Sequence, residues 1–148
     1  SPNLGVYNVS KHAVVSLSET LYQDLALVTD QISASVLCPY FVPTGIGQSQ
    51  RNRPAEPLLG SGNPSKSQLI AHAMLNKAVE GGKVTAVEVA QRVFDAVSTR
   101  QFYIYSHPQA LGNVQSRMEA IVQGLNPPDP FAARPEVGEG LRQALRGI

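Results

Sequence analysis

Two side chains suited to proton transfer, Tyr7 and Lys11, lie four positions apart in the stretch VYNVSK. On a helix, residues four apart face the same way, with Cβ atoms about 5–6 Å apart. A free tyrosine has a pKa of about 10, too high for efficient proton exchange near neutral pH, but a neighbouring ammonium favours the phenolate. Such a pair can exchange a proton with an alcohol or carbonyl oxygen, and the lysine has spare donors for a cofactor hydroxyl.

The same spacing also arises by chance in helices where an amphipathic tyrosine lies beside a solvated lysine. The other reactive side chains are scattered along the sequence. With three separated histidines and one cysteine, no metal site is predicted. Cys38 is interpreted as a small core residue, and His12 points about 100° away from Lys11 on the helix. Arg51 and Arg53 could meet a phosphate or an acidic substrate, but the preferred interpretation is that they are solvated loop charges.

A long helix from about Val6 to Val28 must position the pair. Its apolar residues recur at helical spacing and leave only a narrow polar stripe, so we expect cover on more than one side of this helix. The next stretch, ISASVLC, predicts a strand over residues 32–38, which Pro39 ends. Because both faces of this strand are small or apolar, it suits a parallel sheet covered on both sides.

Residues 45–65 are rich in Gly, Ser, Asn, Arg and Pro, which predicts a long irregular segment. We interpret it as a substrate lid, because long loops in compact domains are usually functional. A helix should follow over about 65–79 and end at the pair Gly81–Gly82. A third helix should begin with a capping box formed by Thr85 and Glu88.

The aromatic and branched stretch QFYIYSH predicts a second strand over residues 101–107, followed by a helix over about 108–124. Residues 126–148 form a Pro- and Gly-rich tail, predicted to be extended, in which LRQALR could form a short last helix. Helices alternating with strands indicate an α/β fold with a parallel sheet. Two parallel strands are too few for a stable core, so the pattern requires further strands from elsewhere.

The length and charge of the chain limit the classes of function. Its 148 residues suit one domain, and a formal net charge of +1 gives no reason to expect a nucleic-acid or membrane partner. No apolar run is long enough to span a membrane, and no signal peptide is visible. The single cysteine favours a reducing compartment, so cytoplasm is the expected location. Because Ser1 stands where a methionine would start translation, either the chain was processed or the sequence begins partway through a gene product.

The segment PNLGVYNVSKHAVVSLSETLYQDL, followed by ISASVLCPYFVPT, resembles the short-chain dehydrogenase/reductase family. In that family a Tyr-x-x-x-Lys pair opens the long helix. A Pro-Gly-x-Val-x-Thr segment follows the next strand and meets the nicotinamide. The resemblance covers roughly residues 1–107. It implies the carboxyl-terminal part of a Rossmann-like, doubly wound parallel sheet, with residues 1–125 as the catalytic half of the domain and the amino-terminal half missing.

The resemblance implies a role for each matching residue. Tyr7 would be the general acid/base at the substrate oxygen and would also contact the cofactor. Lys11 would stabilise the phenolate and bind the nicotinamide ribose. After the strand, Pro39, Val42 and Thr44 match the cofactor segment. There the Val42 backbone would bond the carboxamide, and the Thr44 hydroxyl would approach the carboxamide or a phosphate.

The chain departs from the family pattern after the proline, where Tyr40 replaces the usual glycine. Glycine permits close backbone approach and unusual dihedral angles, so this replacement puts the local backbone geometry in doubt. The rings of Tyr40 and Phe41 either line the pocket of a bulky or aromatic substrate or pack beneath the lid. Of these two interpretations, packing beneath the lid is preferred.

The expected function is hydride transfer between a small-molecule alcohol and a carbonyl with NAD or NADP. The glycine-rich turn for the pyrophosphate, the catalytic serine and the residue that selects NAD or NADP would all precede this chain. The choice of cofactor therefore stays open, and the chain alone is predicted to be inactive. The resemblance further implies a homodimer or homotetramer.

Two alternatives remain open. The chain could be a non-catalytic remnant of the family that binds a partner through its helices, or a small interaction module in which the tyrosine and lysine are incidental. Dinucleotide binding by the full-length product separates the enzyme from the remnant. Cooperative melting of this chain alone would favour the interaction module.

Overall fold

The structure is a computed structural model that describes residues 4–52 and 64–146. The predicted alternation of helices with strands is confirmed over these residues. In chain order the described elements are α1 (Gly5–Val28), β1 (Val36–Cys38), a 3-10 helix (Gly45–Asn52), α2 (Lys66–Glu80), α3 (Ala86–Ser98), β2 (Tyr103–Tyr105), a second 3-10 helix (Pro108–Ala110), α4 (Gly112–Val122) and α5 (Pro135–Arg146).

The two strands form a parallel pair in which Val36 lies opposite Tyr103 and Cys38 lies opposite Tyr105. Parallel strands need a long crossover connection, and here that connection carries α2 and α3. The predicted α/β class with a parallel sheet is therefore confirmed.

Both predicted strands, over 32–38 and 101–107, were too long, because each observed strand has three residues. At either end of the ladder a serine side chain bonds to backbone of the other segment. Ser35 Oγ donates to a carbonyl just before β2 at 2.8 Å, and the Tyr40 amide donates to Ser106 Oγ at 2.8 Å. Beyond each end of the backbone ladder, a serine side chain therefore makes the hydrogen bond between the two segments.

Helices contact both faces of the sheet. Adjacent strand residues point to opposite faces. Tyr103 points towards α1, where its phenol donates a hydrogen bond to the Glu19 carboxylate, whereas Ile104, only 4% exposed, points towards α3. Parallel strands are typically covered in this way. The buried apolar residues among those described are Val36, Val79, Val89, Ala96, Ile104 and Ala120.

α1 exposes most of its apolar surface. None of its residues is buried within the chain as described, and Val9 and Leu17 are 70% and 71% exposed. Covering such surface stabilises a protein by roughly 25 cal/mol per Å² of apolar area. The predicted helix is confirmed in extent, and the cover expected on more than one of its sides stays a prediction.

Two contacts set the direction of α1 relative to the sheet. The Tyr22 ring packs edge-to-face on the Phe102 ring, with 5.0 Å between centroids. Glu19, one turn earlier on the helix, accepts the hydrogen bond from Tyr103, one residue later along the chain. The later residue on the strand side contacts the earlier residue of the helix, so α1 runs antiparallel to β2. The amino-terminal turns of α1 therefore lie towards the carboxyl ends of the strands.

α3 begins with the capping box that the sequence predicts. The Thr85 side chain accepts a hydrogen bond from the Glu88 amide, and the Glu88 carboxylate accepts one from the Thr85 amide at 2.7 Å. The bond from the Thr85 amide lowers the pKa of the Glu88 carboxyl below its ordinary value, because it favours the charged form. The first turn of α3 is thus held by a charge-assisted hydrogen bond.

Thr85→Ala is expected to reduce the free energy of unfolding of the full-length protein by about 1 kcal/mol at neutral pH. The pKa of Glu88 is lowered from 4.5. The ionised carboxylate therefore stabilises the folded state above that pH, and this stabilisation is lost as the pH falls through the folded-state pKa. Urea unfolding at neutral and acid pH measures this loss. Glu88→Gln is the control, since glutamine keeps the box without the titrating charge. Equal acid losses in wild-type protein and Glu88→Gln would contradict the account.

The last helix, α5, differs from the prediction in extent. It runs over Pro135–Arg146, whereas the sequence predicted an extended tail with at most a short helix over LRQALR. Proline suits the first helical position because its φ is already helical. Gly138 lets the Phe131 ring pack on the helix, since a Cβ there would lie 3.0 Å from Phe131 Cβ. This local packing adds a turn and a half to the predicted helix.

The segments around the predicted lid and the fourth helix also differ from the prediction. Over 108–124 a 3-10 helix precedes α4, and Gly124 follows with a left-handed φ of 65°, which is typical of a helix C-cap. Of the predicted lid, residues 45–52 form two short 3-10 segments that meet at a kink at Gln48, and residues 53–63, with Arg53, lie outside the described residues. None of the described helices combines the length and hydropathy needed to cross a membrane.

Candidate functional site

Tyr7 and Lys11 lie side by side on the first turns of α1. The Lys11 Nζ atom is 5.5 Å from the centroid of the Tyr7 ring, and the Tyr7 side chain is 49% exposed. Ser10 Oγ donates to the Tyr7 carbonyl at 2.8 Å, which holds the helix backbone at this turn. The predicted adjacency is present in the structure, and the catalytic roles of the two residues stay predictions.

The pair lies towards the carboxyl-terminal edge of the sheet. Tyr7 is about 18 Å along the helix from Glu19 at 1.5 Å per residue, and Glu19 contacts the first residue of β2. From Tyr103, the first residue of β2, the extended chain covers only about 10 Å to Ser106. Ligands bind at this edge in open parallel sheets.

A hydrogen-bonded cluster follows the strands at the same edge. The Tyr40 amide donates to Ser106 Oγ at 2.8 Å, and that oxygen lies 2.8 Å from His107 Nδ1. Arg92 Nη1 donates to the Ser106 carbonyl at 2.8 Å. Neither Ser106 nor Arg92 was predicted as a site residue, because no local motif marks a serine that contacts a residue 66 positions away.

Gly82 lies against the segment after β1, next to Phe41 and Pro43. A Cβ at this position would lie 2.6 Å from the Phe41 carbonyl oxygen and 2.9 Å from Pro43 Cδ. Both distances are shorter than non-bonded atoms tolerate, so the close approach requires glycine. Gly82 was predicted only as part of a helix stop, and the structure adds this contact.

Tyr40, where the resemblance leads us to expect the family's glycine, does not have a left-handed backbone. Within the described ranges, Arg100 is the non-glycine residue with positive φ, so Tyr40 carries no such strain. Its ring lies 4.5 Å from the Phe41 ring and 5.5 Å from the His107 ring, in both cases edge-to-face. Tyr40 is still 51% exposed, so one side of this ring cluster is open.

The cofactor segment predicted at Pro39, Val42 and Thr44 follows β1 directly and has irregular backbone. Val42 is half-buried. In the part of the chain that the structure describes, neither its N–H nor its C=O has a hydrogen-bond partner. An unpaired N–H and C=O on one residue fit a ligand with both a donor and an acceptor, such as a carboxamide. Among the described contacts, no hydrogen bond or ring contact joins this segment to Tyr7 or Lys11.

The remaining reactive side chains have local partners or inert surroundings. Burial raises the pKa of the Cys38 thiol, which disfavours the reactive thiolate. His12 Nδ1 lies 2.8 Å from a carbonyl of its own helix, and His72 Nδ1 lies 3.3 Å from Asn76 Nδ2. Arg51 Nη1 donates to Gln48 Oε1 at 3.3 Å. Over residues 4–52 and 64–146, no three His, Cys, Asp or Glu side chains group as metal ligands would.

Known proteins similar to this chain include a bacterial enzyme and a solved structure. A protein of Lactiplantibacillus plantarum named CLA biosynthesis dehydrogenase/reductase is 29% identical over 125 residues, which is 82% of this chain and 43% of the relative. The crystal structure of a short chain dehydrogenase/reductase from Burkholderia phymatum in complex with NAD is 47% identical, with a TM-score of 0.85. That match covers 89% of this chain and 47% of the other. No protein-family model matches the chain.

The chain spans about half the length of these two relatives. The comparisons confirm the predicted resemblance to the short-chain dehydrogenase/reductase family and the Rossmann-like α/β fold that it implies. Both relatives are named as dehydrogenases or reductases.

Proposed function

We propose that this chain, which resembles the short-chain dehydrogenases/reductases in sequence and fold, is part of an NAD(P)-dependent oxidoreductase that interconverts an alcohol and a carbonyl. The observation that carries the proposal is the Tyr7–Lys11 pair, with the ammonium 5.5 Å from the ring centroid. It lies towards the same edge of the sheet as the open Val42 backbone. A proton-transfer group and a free amide there suit a substrate and a cofactor bound together.

Tyr7 moves the proton in this proposal. Its phenol donates a proton to the carbonyl oxygen during reduction, and its phenolate accepts the alcohol proton during oxidation. The Lys11 ammonium lies beside the Tyr7 ring, 5.5 Å from its centroid, and its N–H donors bind a ribose hydroxyl. The nicotinamide, when bound, supplies or accepts the hydride.

The segment after β1 holds the carboxamide end of the cofactor. Pro39 ends the strand, the Val42 N–H and C=O pair with the carboxamide, and the Thr44 hydroxyl reaches the carboxamide or a phosphate. The relative from Burkholderia phymatum was solved with NAD, which supports a nicotinamide cofactor here. The residues that choose NAD or NADP are proposed to lie outside this chain, so both cofactors stay candidates.

The substrate is a small molecule, and the open side of the ring cluster of Tyr40 and Phe41 is a place where it can bind. The exposed apolar face of α1 is proposed to be covered by the rest of the protein or by a second subunit, in a homodimer or homotetramer. Pyrophosphate binding is assigned to a glycine-rich turn outside the 148 residues.

The full-length product of the gene is expected to oxidise NADH or NADPH in the presence of a suitable carbonyl compound. The 148-residue chain alone should show no turnover, because hydride transfer requires cofactor and substrate to be held in line. Turnover by the full-length product and by the chain alone is measured with a panel of alcohols and carbonyl compounds, from the change in nicotinamide absorbance. Turnover by the chain alone would contradict the proposal, and a folded full-length product that binds no dinucleotide would favour the non-catalytic remnant.

A further inference from the structure

We infer that Ser106 is a positioning residue whose hydroxyl fixes the Tyr40 amide and so sets the course of the chain towards Val42. The inference rests on the proposed function, because that function assigns the Val42 backbone to the cofactor carboxamide. In this inference Ser106 acts through the Tyr40 backbone and touches neither substrate nor cofactor.

Ser106 is fully buried, with 0% of its surface exposed. Its Oγ accepts the Tyr40 N–H at 2.8 Å and lies 2.8 Å from His107 Nδ1. The hydroxyl has one proton and two acceptor lone pairs, so Oγ can accept the amide and form a second hydrogen bond with Nδ1, whose direction depends on the imidazole tautomer. The carbonyl of Ser106 accepts from Arg92 at 2.8 Å. The serine is thus held from both its side chain and its backbone.

This hydrogen bond lies where the chain leaves the sheet. The backbone ladder ends at Cys38, and the Tyr40–Ser106 bond is the next tie to the neighbouring strand. From another side, Gly82 is in contact with the carbonyl of the following residue. The chain is held on two sides immediately before Val42, which keeps its open amide in one place.

The loss of the Ser106 hydroxyl would leave the Tyr40 amide without its acceptor. A partly buried amide without a partner is unfavourable, so the segment would shift to find another acceptor. A displacement of about 1 Å in groups that align reactants can cost about a hundredfold in rate. The effect should therefore appear in cofactor binding and alignment.

Ser106→Ala in the full-length protein is expected to weaken NADH binding about tenfold and to accelerate hydrogen exchange of the Tyr40 amide. Fluorescence titration measures the NADH affinity. NMR measures the hydrogen exchange of the Tyr40 amide and needs no substrate or cofactor. Ser35→Ala is the matched control. Ser35 Oγ donates to the Gln101 carbonyl at 2.8 Å, also across 66 residues, at the opposite end of the same strand pair.

His107→Phe is the second variant. It keeps an aromatic ring beside Tyr40 but cannot hydrogen-bond to Ser106 Oγ, so it should give a smaller change of the same sign in both measurements. It decides the question if Ser106→Ala does not fold, and unchanged NADH affinity in His107→Phe would then overturn the inference.

The outcomes separate the inference from the function on which it rests. Weaker NADH binding and faster Tyr40 exchange in Ser106→Ala, with neither change in Ser35→Ala, support the inference. Wild-type NADH affinity in Ser106→Ala, or equal losses in Ser35→Ala, overturn it while the proposed function stands. A folded wild-type protein that binds no NADH overturns the proposed function and the inference with it.

Discussion

Tyr7→Phe in the full-length protein is expected to lower kcat about 10²–10⁴-fold, the usual contribution of a positioned general acid or base. Phenylalanine keeps the ring beneath Lys11 Nζ but has no proton to exchange. NADH binding should change little, because the Lys11 ammonium and the Val42 backbone remain. Steady-state kinetics with the preferred substrate, together with NADH titration, measures both effects.

Tyr22→Phe is the control for this prediction. Tyr22 lies on the same helix, and its ring packs edge-to-face on Phe102 with 5.0 Å between centroids. That contact is made by the ring and survives removal of the hydroxyl. We expect Tyr22→Phe to retain the wild-type kcat, and a Tyr7→Phe protein with wild-type kcat would remove Tyr7 from the proposed mechanism.

Gly82→Ala is expected to lower the free energy of unfolding by about 1–3 kcal/mol, the usual cost of an overpacked contact. The added Cβ would lie 2.6 Å from the Phe41 carbonyl oxygen and 2.9 Å from Pro43 Cδ. Because the clash involves backbone, a side-chain rotation cannot relieve it. The segment before Thr44 must move, so NADH affinity should fall as well.

Gly140→Ala supplies the matched control, since nothing lies within 4 Å of a Cβ at that position in α5. Alanine is favoured over glycine in a helix by about 1 kcal/mol, so this variant should be more stable than wild type. Urea unfolding compares the two substitutions. If Gly82→Ala is as stable as Gly140→Ala and binds NADH normally, the close contact with Phe41 does not shape the site.

Much of the fold could be predicted because its signals are local. The apolar periodicity of α1 and the capping box of Thr85 and Glu88 each depend on residues within a few turns, and both are present. The strands were predicted too long because pairing depends on distant partners. Ser35 and Ser106 end the ladder through bonds that span 66 residues, and no local pattern contains that information.

The candidate site divides in the same way. The adjacency of Tyr7 and Lys11 follows from helix geometry, and a family motif marks both. Ser106 and Gly82 carry no motif, because their importance arises from contact with the segment after β1. The replacement of the family's glycine by Tyr40 raised doubt about the backbone, and the structure accommodates it without positive φ at that residue.

We propose that this chain supplies the proton-transfer part of a dinucleotide enzyme and needs a separate cofactor-binding part. The most direct test is an NADH fluorescence titration of the 148-residue chain, alone and joined to the portion of the Burkholderia phymatum relative that it does not match. The matched portions are 47% identical, so the join should preserve most contacts. We predict NADH binding by the joined protein and none by the chain alone. Tight binding by the chain alone, or a folded joined protein that binds no NADH, would contradict the account.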